Sequence, residues 1–246
     1  MRQLYPTSRD EDLDALYTEL DVPAAPADRP WTYLDMVASV DGAAALDGRA
    51  GGLGGEADRL AFSRLREWCD AILVGAETVR AEDYGPPRPT KEAQARRRAR
   101  GLESIPRLIV VTASADLDPG ARLFADPQRR PLLLVPEDVT LSADLARVAD
   151  AVAVGQRRVG LRAAFARLRA MGIARLLCEG GPSLNVELLR EDLVDELFLT
   201  IAPLLVGSDA PRIVTGDLAV PRTAALVELR EHEGALLARY RLTAGG

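Results

Sequence analysis

The residues best suited to bind an anionic ligand lie where an apolar stretch meets a diglycine turn. The stretch RLLC runs into Glu179 and the segment Gly180-Gly181-Pro182-Ser183, after which a helical pattern begins. Glycines let backbone N–H groups approach a phosphate, and a helix N-terminus adds a partial positive charge of roughly half a unit. The segment predicts an anion-binding turn, with Glu179 at its mouth as an acceptor for ligand hydroxyl or N–H groups. An ordinary tight turn has the same pattern, and the GxGxxG spacing of the dinucleotide fingerprint is missing.

A second set of polar residues follows the apolar stretch AILVG. Thr78, Arg80, Glu82 and Asp83 come directly after its end. Open α/β sheets bind ligands at the carboxyl ends of their strands, so these side chains are candidates for ligand contacts. Their spacing alone is equally typical of an ordinary polar loop.

The chain has few residues for metal or thiol chemistry. Cys69 and Cys178 are its two cysteines, and His232 is its single histidine. A zinc site needs three or four ligands at short spacings, so the sequence argues against a metal-dependent mechanism. We expect both thiols to be buried and structural. His232 lies in EHEG between two apolar stretches, which predicts an exposed residue of a hairpin turn with no catalytic role.

Composition disfavours nucleic-acid and membrane partners. The 246 residues are 48% hydrophobic, and 37 acidic against 31 basic residues give a net charge of −6. Non-specific binding to nucleic acid or to anionic membranes usually needs a positive field. No apolar run approaches the ~20 residues that span a bilayer, and the N-terminus is too acidic and polar for a signal peptide. We therefore expect a cytoplasmic protein that binds neither nucleic acid nor membrane.

One strongly basic segment stands out against this acidic background. Residues 90–101 read TKEAQARRRARG and follow a proline-rich stretch. A phosphate- or RNA-binding patch and a solvated helix or mobile loop both fit this composition. The second interpretation is favoured because the protein as a whole is acidic.

Hydrophobic periodicity predicts an α/β domain behind a short N-terminal arm. We expect residues 1–30 to form the arm, with an acidic helix from Ser8 to about Leu20, because Ser8 and Glu11 have capping-box spacing. Over residues 31–246, strand-length apolar stretches alternate with helical patterns. This is the βαβ rhythm of a mostly parallel sheet with helices on both faces. The ending, ALVELREHEGALLARYRL, predicts an antiparallel hairpin with exposed edges.

Three blocks of sequence together carry a family resemblance. WTYLDMVASVDG, RLREWCDAILVGAETVRAEDYGP and CEGGPSLNVELLREDLVDELFLTIAPLLVG span most of residues 31–216. In order and spacing they resemble the reductase domain of riboflavin-biosynthesis pyrimidine deaminase/reductases, and within that family the stand-alone actinobacterial pyrimidine reductases. The resemblance implies a dihydrofolate-reductase-like α/β fold, NADPH as cofactor and a homodimer.

The resemblance also implies which residues bind the cofactor. They lie at the end of the first strand of the domain, after AILVG, and on the diglycine turn with its helix: Val37, Ala38, Thr78, Glu82, Gly180, Gly181, Pro182, Ser183, Leu184, Asn185 and Glu187. A further cofactor-binding hydroxyl after the PRLIVVT strand is either Thr112 or Ser114. No arginine follows there to bind a 2′-phosphate, so the preference for NADPH over NADH rests on the resemblance alone.

For the substrate, the resemblance implies contacts from Arg66, which would pair with a ribose phosphate, from Glu179, and from Arg88 in the following loop. A guanidinium suits phosphate because its planar fork donates two parallel charge-assisted hydrogen bonds. The implied reaction is hydride transfer from NADPH to the ribosyl C1′ of 5-amino-6-(5-phosphoribosylamino)uracil, which opens the sugar to a ribityl chain. Such a step needs chiefly orientation, so it requires neither a nucleophile nor a histidine base. The sequence identifies no proton donor.

Several positions depart from the family pattern. Glu82 stands where relatives commonly have Asp, Tyr84 follows Asp83 where they have Pro, and Ala50 occupies the place of a substrate-binding serine. The chain also lacks the His-x-Glu and Pro-Cys-x-x-Cys motifs of the zinc deaminase. These departures bear on the substrate more than on the cofactor. Two alternatives stay open: a dihydropteridine such as dihydrofolate as substrate, and a nucleotide-binding protein that has lost catalysis.

Overall fold

A single mixed sheet organises the protein, and the computed structural model describes residues 1–207 and 209–243. Its strands in chain order are β1 (Arg2–Tyr5), β2 (Arg9–Asp10), β3 (Trp31–Ser39), β4 (Ala71–Gly75), β5 (Arg107–Val111), β6 (Leu132–Val135), β7 (Asp150–Ala153), β8 (Arg175–Cys178), β9 (Glu196–Ala202), β10 (Ala224–His232) and β11 (Ala235–Leu242). They lie in the order β2-β1-β10-β11-β9-β3-β8-β4-β5-β6-β7. The strands from β9 to β7 pair in parallel, whereas β11, β10, β1 and β2 pair antiparallel.

Helices cover both faces of the parallel part of the sheet. They are α1 (Glu56–Leu65), α2 (Ala76–Ala81), α3 (Lys91–Ala99), α4 (Ala143–Val148), α5 (Leu161–Ala170) and α6 (Pro182–Arg190). Buried residues of α1, α2 and α4 share one hydrophobic cluster, whereas those of α5 and α6 belong to a second cluster. The mostly parallel α/β sheet expected from the sequence is confirmed.

Strict alternation along the strands creates these two cores. In β4, Ile72 and Val74 belong to the first cluster, whereas Ala71 and Leu73 belong to the second. Successive side chains of a strand point to opposite faces, so a short, continuously apolar strand serves two layers of helices. This explains why AILVG contains no polar residue until the sheet ends.

The N-terminal segment differs from its predicted helix. Residues 2–5 and 9–10 form β1 and β2, and β1 pairs with β10, while only Leu13–Ala15 form a short 3₁₀ helix. The capping-box residues have other partners. The Ser8 hydroxyl accepts a hydrogen bond from Arg2, and Glu11 pairs with Arg230 at 2.9 Å. The helical prediction was wrong because β1 pairs with β10 and β2 pairs with β1, and local propensity does not reveal these backbone hydrogen bonds.

The C-terminal hairpin is confirmed, but its strands are interior. β10 pairs with β1, and β11 pairs with β9, so neither of these long strands presents a free edge within the described part of the chain. The expectation of exposed edges in this hairpin was therefore wrong. The N-terminal strand β1 covers one side of the hairpin and β9 covers the other.

The basic segment folds as the ordered helix α3. Thr90 caps it by accepting a hydrogen bond from the Ala93 N–H, and Arg98 is exposed to solvent. Arg97 is fully buried and donates to the carbonyl oxygens of Glu103, Arg66 and Cys69. The solvated helix is confirmed except at Arg97, where backbone acceptors take the place of water. Among the described residues, no helix is long and apolar enough to cross a membrane.

Candidate active site

The diglycine turn and the segment after AILVG lie side by side. β4 and β8 are neighbours, with Leu73 opposite Cys178, so their carboxyl ends meet at one edge of the sheet. The Gly75 N–H donates to the Gly180 carbonyl oxygen at 2.8 Å. A Cβ placed on Gly181 would lie 2.5 Å from the Thr78 Oγ1, which is closer than such atoms approach. The two segments therefore touch at a point that has no room for a side chain.

Two helix N-termini open at this edge. α2 begins after Gly75 and α6 after Gly181, and no side chain among the described residues caps either end. The first N–H groups of a helix lack an intrahelical acceptor, and an anion can satisfy them. The two helices pack on opposite faces of the sheet. Open α/β sheets bind ligands in such a crevice, where neighbouring helices leave on opposite sides.

Arg66, Glu179 and Tyr84 form a hydrogen-bonded triad beside the diglycine turn. Arg66 donates from Nε and Nη2 to the two carboxylate oxygens of Glu179, each at 2.7 Å. The Tyr84 hydroxyl donates to Glu179 and accepts from Arg66 Nη2. The Glu179 side chain is 4% exposed and that of Arg66 is 22% exposed. Glu179 was predicted to accept hydrogen bonds from a ligand, but both of its carboxylate oxygens already accept them from Arg66 and Tyr84.

Electrostatics tie this triad together. Burial alone would lower the pKa of Arg66, but the charge of Glu179 outweighs burial and raises the Arg66 pKa above its ordinary value. Burial and the Glu179 carboxylate raise the pKa of Tyr84. Arg66 is therefore a permanent cation and Tyr84 a neutral donor. The Arg66 guanidinium also lies 4.0 Å from the centre of the Phe62 ring, a cation–π contact that fixes its plane.

Two further carboxyl groups, which the sequence analysis missed, adjoin the triad. Asp35 and Glu179 each lie one residue beyond the paired positions Leu34 and Cys178, so Asp35, in the middle of β3, is a neighbour of Glu179 at the end of β8. Asp58, on α1, shares a hydrogen bond with Thr200. Asp35 is half-buried, and no hydrogen bond from the described residues reaches its carboxyl group. An acidic residue inside the otherwise apolar WTYLDMVASV is the sequence signal that could have identified Asp35.

Burial perturbs both carboxyl groups, and neighbouring like charges add to its effect at Asp35. Burial raises the pKa of Asp35 well above its usual range, and the neighbouring Asp58 and Glu179 carboxylates raise it further. Burial also raises the pKa of Asp58, against the stabilising bond from Thr200. The site therefore holds carboxyl groups of unlike character: Glu179 is paired with a cation, while Asp35 retains its proton to higher pH.

The other predicted substrate residue, Arg88, lies close to Arg66. Both line a cavity of about 200 Å³, together with Phe62 and Ser63. Arg88 itself is exposed. The structure thus places Arg88, a predicted substrate contact, on the same cavity as Arg66, which was predicted to pair with the phosphate.

Two family departures contact each other. The Glu82 carboxylate accepts a hydrogen bond from the Ala50 N–H at 2.8 Å, so it fixes the glycine-rich loop against the end of α2. Asp83 is exposed, has a φ of 46° and pairs with Arg122. Arg80 donates to the Asp116 carbonyl oxygen at 3.0 Å. Of these polar residues after AILVG, only Thr78 lies directly against the diglycine turn.

The hydroxyl residues after β5 take part in local turns. Thr112 is buried, and its Oγ1 accepts a hydrogen bond from the Ala115 N–H at 3.0 Å. Ser114 is exposed, and its Oγ accepts from the Asp116 N–H at 3.3 Å. Both lie beyond the carboxyl end of β5, next to β4. Ser114 is the one of the pair whose side chain solvent, and hence a ligand, can reach.

The remaining cofactor predictions divide between the crevice edge and the core. Ser183 is exposed at the start of α6, whereas Leu184 and Asn185 are buried. Asn185 donates to the Ile213 carbonyl oxygen at 2.8 Å, so a cofactor contact by its side chain does not fit the structure. Glu187 pairs with Arg190 along the helix. The sequence pattern could not distinguish the exposed residue at the start of α6 from the buried residues that follow it, because they are adjacent in the chain.

The carboxyl end of β3 lies in the same region. Val37 is half-buried and pairs with Thr200 of β9, while Ala38 is buried. Both follow Asp35 on the strand that neighbours β8. Their contacts with a cofactor stay a prediction.

Thiol and histidine chemistry have no place in this site. Cys69 and Cys178 are buried, and burial raises the pKa of each thiol to about 12. His232 is half-buried as the last residue of β10, so the expected exposed turn consists of Glu233 and Gly234 instead. Within the described ranges, no three histidine, cysteine or acidic side chains are placed to hold a metal ion.

Comparisons with known proteins agree with this architecture. The profile of the RibD C-terminal domain family matches residues 30–235. The chain is 36% identical over 196 residues to a protein of Methanothermobacter thermautotrophicus named 2,5-diamino-6-ribosylamino-4(3H)-pyrimidinone 5′-phosphate reductase, covering 77% of this chain and 85% of that protein. It is 30% identical over 192 residues to the riboflavin biosynthesis protein RibD of Mycobacterium tuberculosis, covering 77% of this chain and 45% of the relative.

A solved structure shows the same fold. The pyrimidine reductase-like protein of Corynebacterium diphtheriae superposes with a TM-score of 0.78 at 27% identity, over 89% of this chain and 94% of that one. The resemblance drawn from the three sequence blocks is thereby confirmed. This chain belongs to the RibD C-terminal domain family, whose members include the pyrimidine reductases of riboflavin biosynthesis.

Proposed function

We propose that this protein uses NADPH to reduce a 6-ribosylaminopyrimidine 5′-phosphate to its ribityl product, with 5-amino-6-(5-phosphoribosylamino)uracil as the expected substrate. The observation that carries the proposal is the contact between Gly181 and Thr78 at two uncapped helix N-termini. A dinucleotide pyrophosphate suits this place because backbone N–H groups and helix dipoles both favour an anion there.

The residues present fit a nicotinamide dinucleotide. Gly181 has no Cβ where one would meet Thr78, so backbone can approach backbone and ligand closely at this turn. Pro182 at the first position of α6 lacks an N–H that would otherwise need a partner. When bound, the reduced nicotinamide supplies a hydride. The protein's own contribution is to hold the acceptor carbon near contact distance, which can supply several kcal/mol of the barrier, about 7–11 at most.

The arginines beside the crevice support a phosphorylated substrate. Nε and Nη2 of Arg66 are bonded to Glu179 and Tyr84, which leaves Nη1 without a hydrogen bond among the described residues. Arg88 lines the same cavity and is exposed. Glu179 orients the Arg66 cation, and the two arginines together offer charge-assisted donors to a phosphate. The homodimer expected from the resemblance stays a prediction, which sedimentation equilibrium would check.

A kinetic assay tests the proposed reaction. Purified protein, the ribosylamino-uracil phosphate and NADPH should give loss of nicotinamide absorbance and a ribityl product, with little activity on dihydrofolate. The same assay with NADH measures the expected preference for NADPH. NADPH binding with no turnover on any pyrimidine would instead identify a nucleotide-binding protein without catalysis, and no turnover at high enzyme concentration would count against this substrate.

A second substrate form is supported by the names of several relatives. Three of them are named for 2,5-diamino-6-ribosylamino-4(3H)-pyrimidinone 5′-phosphate, which carries an amino group where the uracil carries an oxo group. A site that forms hydrogen bonds to one of these groups discriminates against the other, because a buried polar group is then left unpaired. The ratio of kcat/KM for the two substrates measures that choice.

A further inference from the structure

The middle of β3 presents an acidic side chain that the proposed function has not used. Asp35 lies on the face of β3 that carries Tyr33, next to Glu179 and close to α1. It is half-buried at the edge where the two helix N-termini open. Part of Asp35 is therefore exposed to solvent at the edge that carries Glu179.

Each neighbouring carboxylate already has a partner. Glu179 is bonded to Arg66 and Tyr84, and Asp58 to Thr200. Asp35 alone among these three acids receives no hydrogen bond from the described residues. Arg66 is already bonded to Glu179, and Asp58 has Arg59 nearby, so ionising Asp35 would add an uncompensated negative charge in a poorly hydrated place. Keeping a proton on Asp35 avoids that charge.

We propose that Asp35 is the proton donor of the reaction, protonating the sugar ring oxygen as the ribosyl ring opens. This role rests on the proposed function. The C1′–O4′ bond breaks, its electron pair goes to O4′, and O4′ takes the proton of Asp35. The hydride forms the new C–H bond at C1′ with its own electron pair, while the bond from C1′ to the exocyclic nitrogen remains. Solvent then returns a proton to the Asp35 carboxylate, so the substrate gains one hydride and one proton.

The surroundings of Asp35 favour its acidic form. Its ionisable neighbours, from α1, the end of β8 and the N-terminal segment, are Asp58, Arg66, Glu179 and Tyr17. Burial, Asp58 and Glu179 raise the Asp35 pKa, and Arg66 opposes them. β9 adds the uncharged Phe198 opposite Asp35. A general acid is most effective when its pKa lies near the working pH, and an ordinary aspartate, with a pKa of about 3.9, would be ionised at neutral pH.

Asp35→Asn tests the role directly. We expect kcat to fall at least about 100-fold, because general acid catalysis typically contributes that much, while the Kd for NADPH changes by less than about twofold. Asp35→Glu, which restores an acid, should recover part of the loss. Asp144→Asn, at an exposed carboxylate on α4, is the matched control and should leave kcat unchanged. Near-wild-type kcat in Asp35→Asn would overturn the proposal.

The pH profile separates a proton donor from a merely structural residue. Wild-type kcat should fall as pH rises past the Asp35 pKa. Asp58→Asn removes one of the charges that raise this pKa, so the fall should move to lower pH. In Asp35→Asn, this fall of kcat with rising pH should be absent. If kcat of both variants fell with pH as it does in the wild type, Asp35 would not be the proton donor.

A measurement without substrate or cofactor checks the same group. Because the folded-state pKa of Asp35 is raised, the stability it contributes is complete below its unfolded pKa of about 3.9 and is lost as pH rises through the folded value. Asp35→Asn should therefore become more stable relative to wild type as pH rises above about 4. A difference that does not vary with pH would overturn the proposal. Wild-type protein that turns over no ribosylaminopyrimidine would refute the proposed function, whereas an active wild type with equally active Asp35→Asn would refute the role of Asp35 alone.

Discussion

At the residue scale, the site depends on one buried ion pair. Glu179 accepts two hydrogen bonds from Arg66 and one from Tyr84, so its position is fixed before any ligand arrives. A buried pair gains little over apolar packing, but losing one partner leaves an uncompensated charge. The arrangement therefore holds the Arg66 plane in place and leaves its third nitrogen for a ligand.

Glu179→Gln tests this dependence. The variant leaves Arg66, which is mostly buried, without its counter-charge and should lower the free energy of unfolding by about 3 kcal/mol. Urea denaturation measures the change. Asp144→Asn breaks a fully solvated pair and should cost less than about 1 kcal/mol. Equal effects in the two variants would mean that the Glu179 pair is effectively hydrated.

Gly181→Ala tests the close approach at the diglycine turn. The backbone at Gly181 has a φ of −80°, which any residue adopts, so the effect is purely steric: the new Cβ would collide with Thr78. We expect NADPH binding to weaken at least about tenfold, or about 1.4 kcal/mol, in a fluorescence titration. Gly160→Ala, at the start of α5, meets only ordinary contacts and is the control. Unchanged binding in Gly181→Ala would place the nucleotide elsewhere.

At the element scale, Arg97 joins three segments. It lies on α3 and donates to carbonyl oxygens after α1, before β4 and beyond its own helix. Arg97→Met should destabilise the protein by about 1–3 kcal/mol or more, because each buried acceptor left unpaired has that order of cost. Arg98→Met, at the next, exposed position, should have little effect in the same thermal unfolding experiment. Equal melting temperatures would show that water replaces the guanidinium.

A second element-scale contact joins the end of β3 to the loop after β9. The Asp41 carboxylate accepts hydrogen bonds from Ser39 and from the N–H groups of Gly207 and Val206, which lower its pKa to about 2. A lowered pKa stabilises the fold above the unfolded value of about 3.9, and this stability is lost as pH falls toward 2. Asp41→Asn should therefore be less stable than wild type near pH 6, and the two melting temperatures should converge in acid. A difference in melting temperature that stayed the same from pH 6 into acid would contradict a stabilising role for the Asp41 carboxylate.

The sequence predicts elements well where burial and periodicity agree. AILVG, RLIVV, LLLV and RLLC are all strands of the parallel region. In α5, Leu161, Phe165 and Leu168 are buried as their spacing predicts. The prediction fails at residues 8–20, where β2 pairs with β1, a strand held in turn by β10 more than 200 residues away in the chain. Local patterns cannot reveal such a partner.

At the scale of the whole molecule, topology brings distant polar residues to one edge. Thr78 and Glu179 were predicted from the sequence because each follows a strand of the βαβ pattern, whereas Arg66 was implied by the family resemblance. The bonds between Arg66 and Glu179 could not be predicted, since they depend on β8 lying between β3 and β4. Asp35 escaped notice because its role arises from the charges around it. Periodicity indicates where an edge lies, whereas side-chain packing decides which groups are bonded and which are open.

A crystal structure of the NADPH complex tests the central claim most directly. The account predicts the pyrophosphate within hydrogen-bond distance of backbone N–H groups at Gly181 or Ser183, with the nicotinamide ring directed toward Asp35 and Glu179. A nucleotide bound away from this edge, or a turn that stays packed shut against Thr78, would contradict the account.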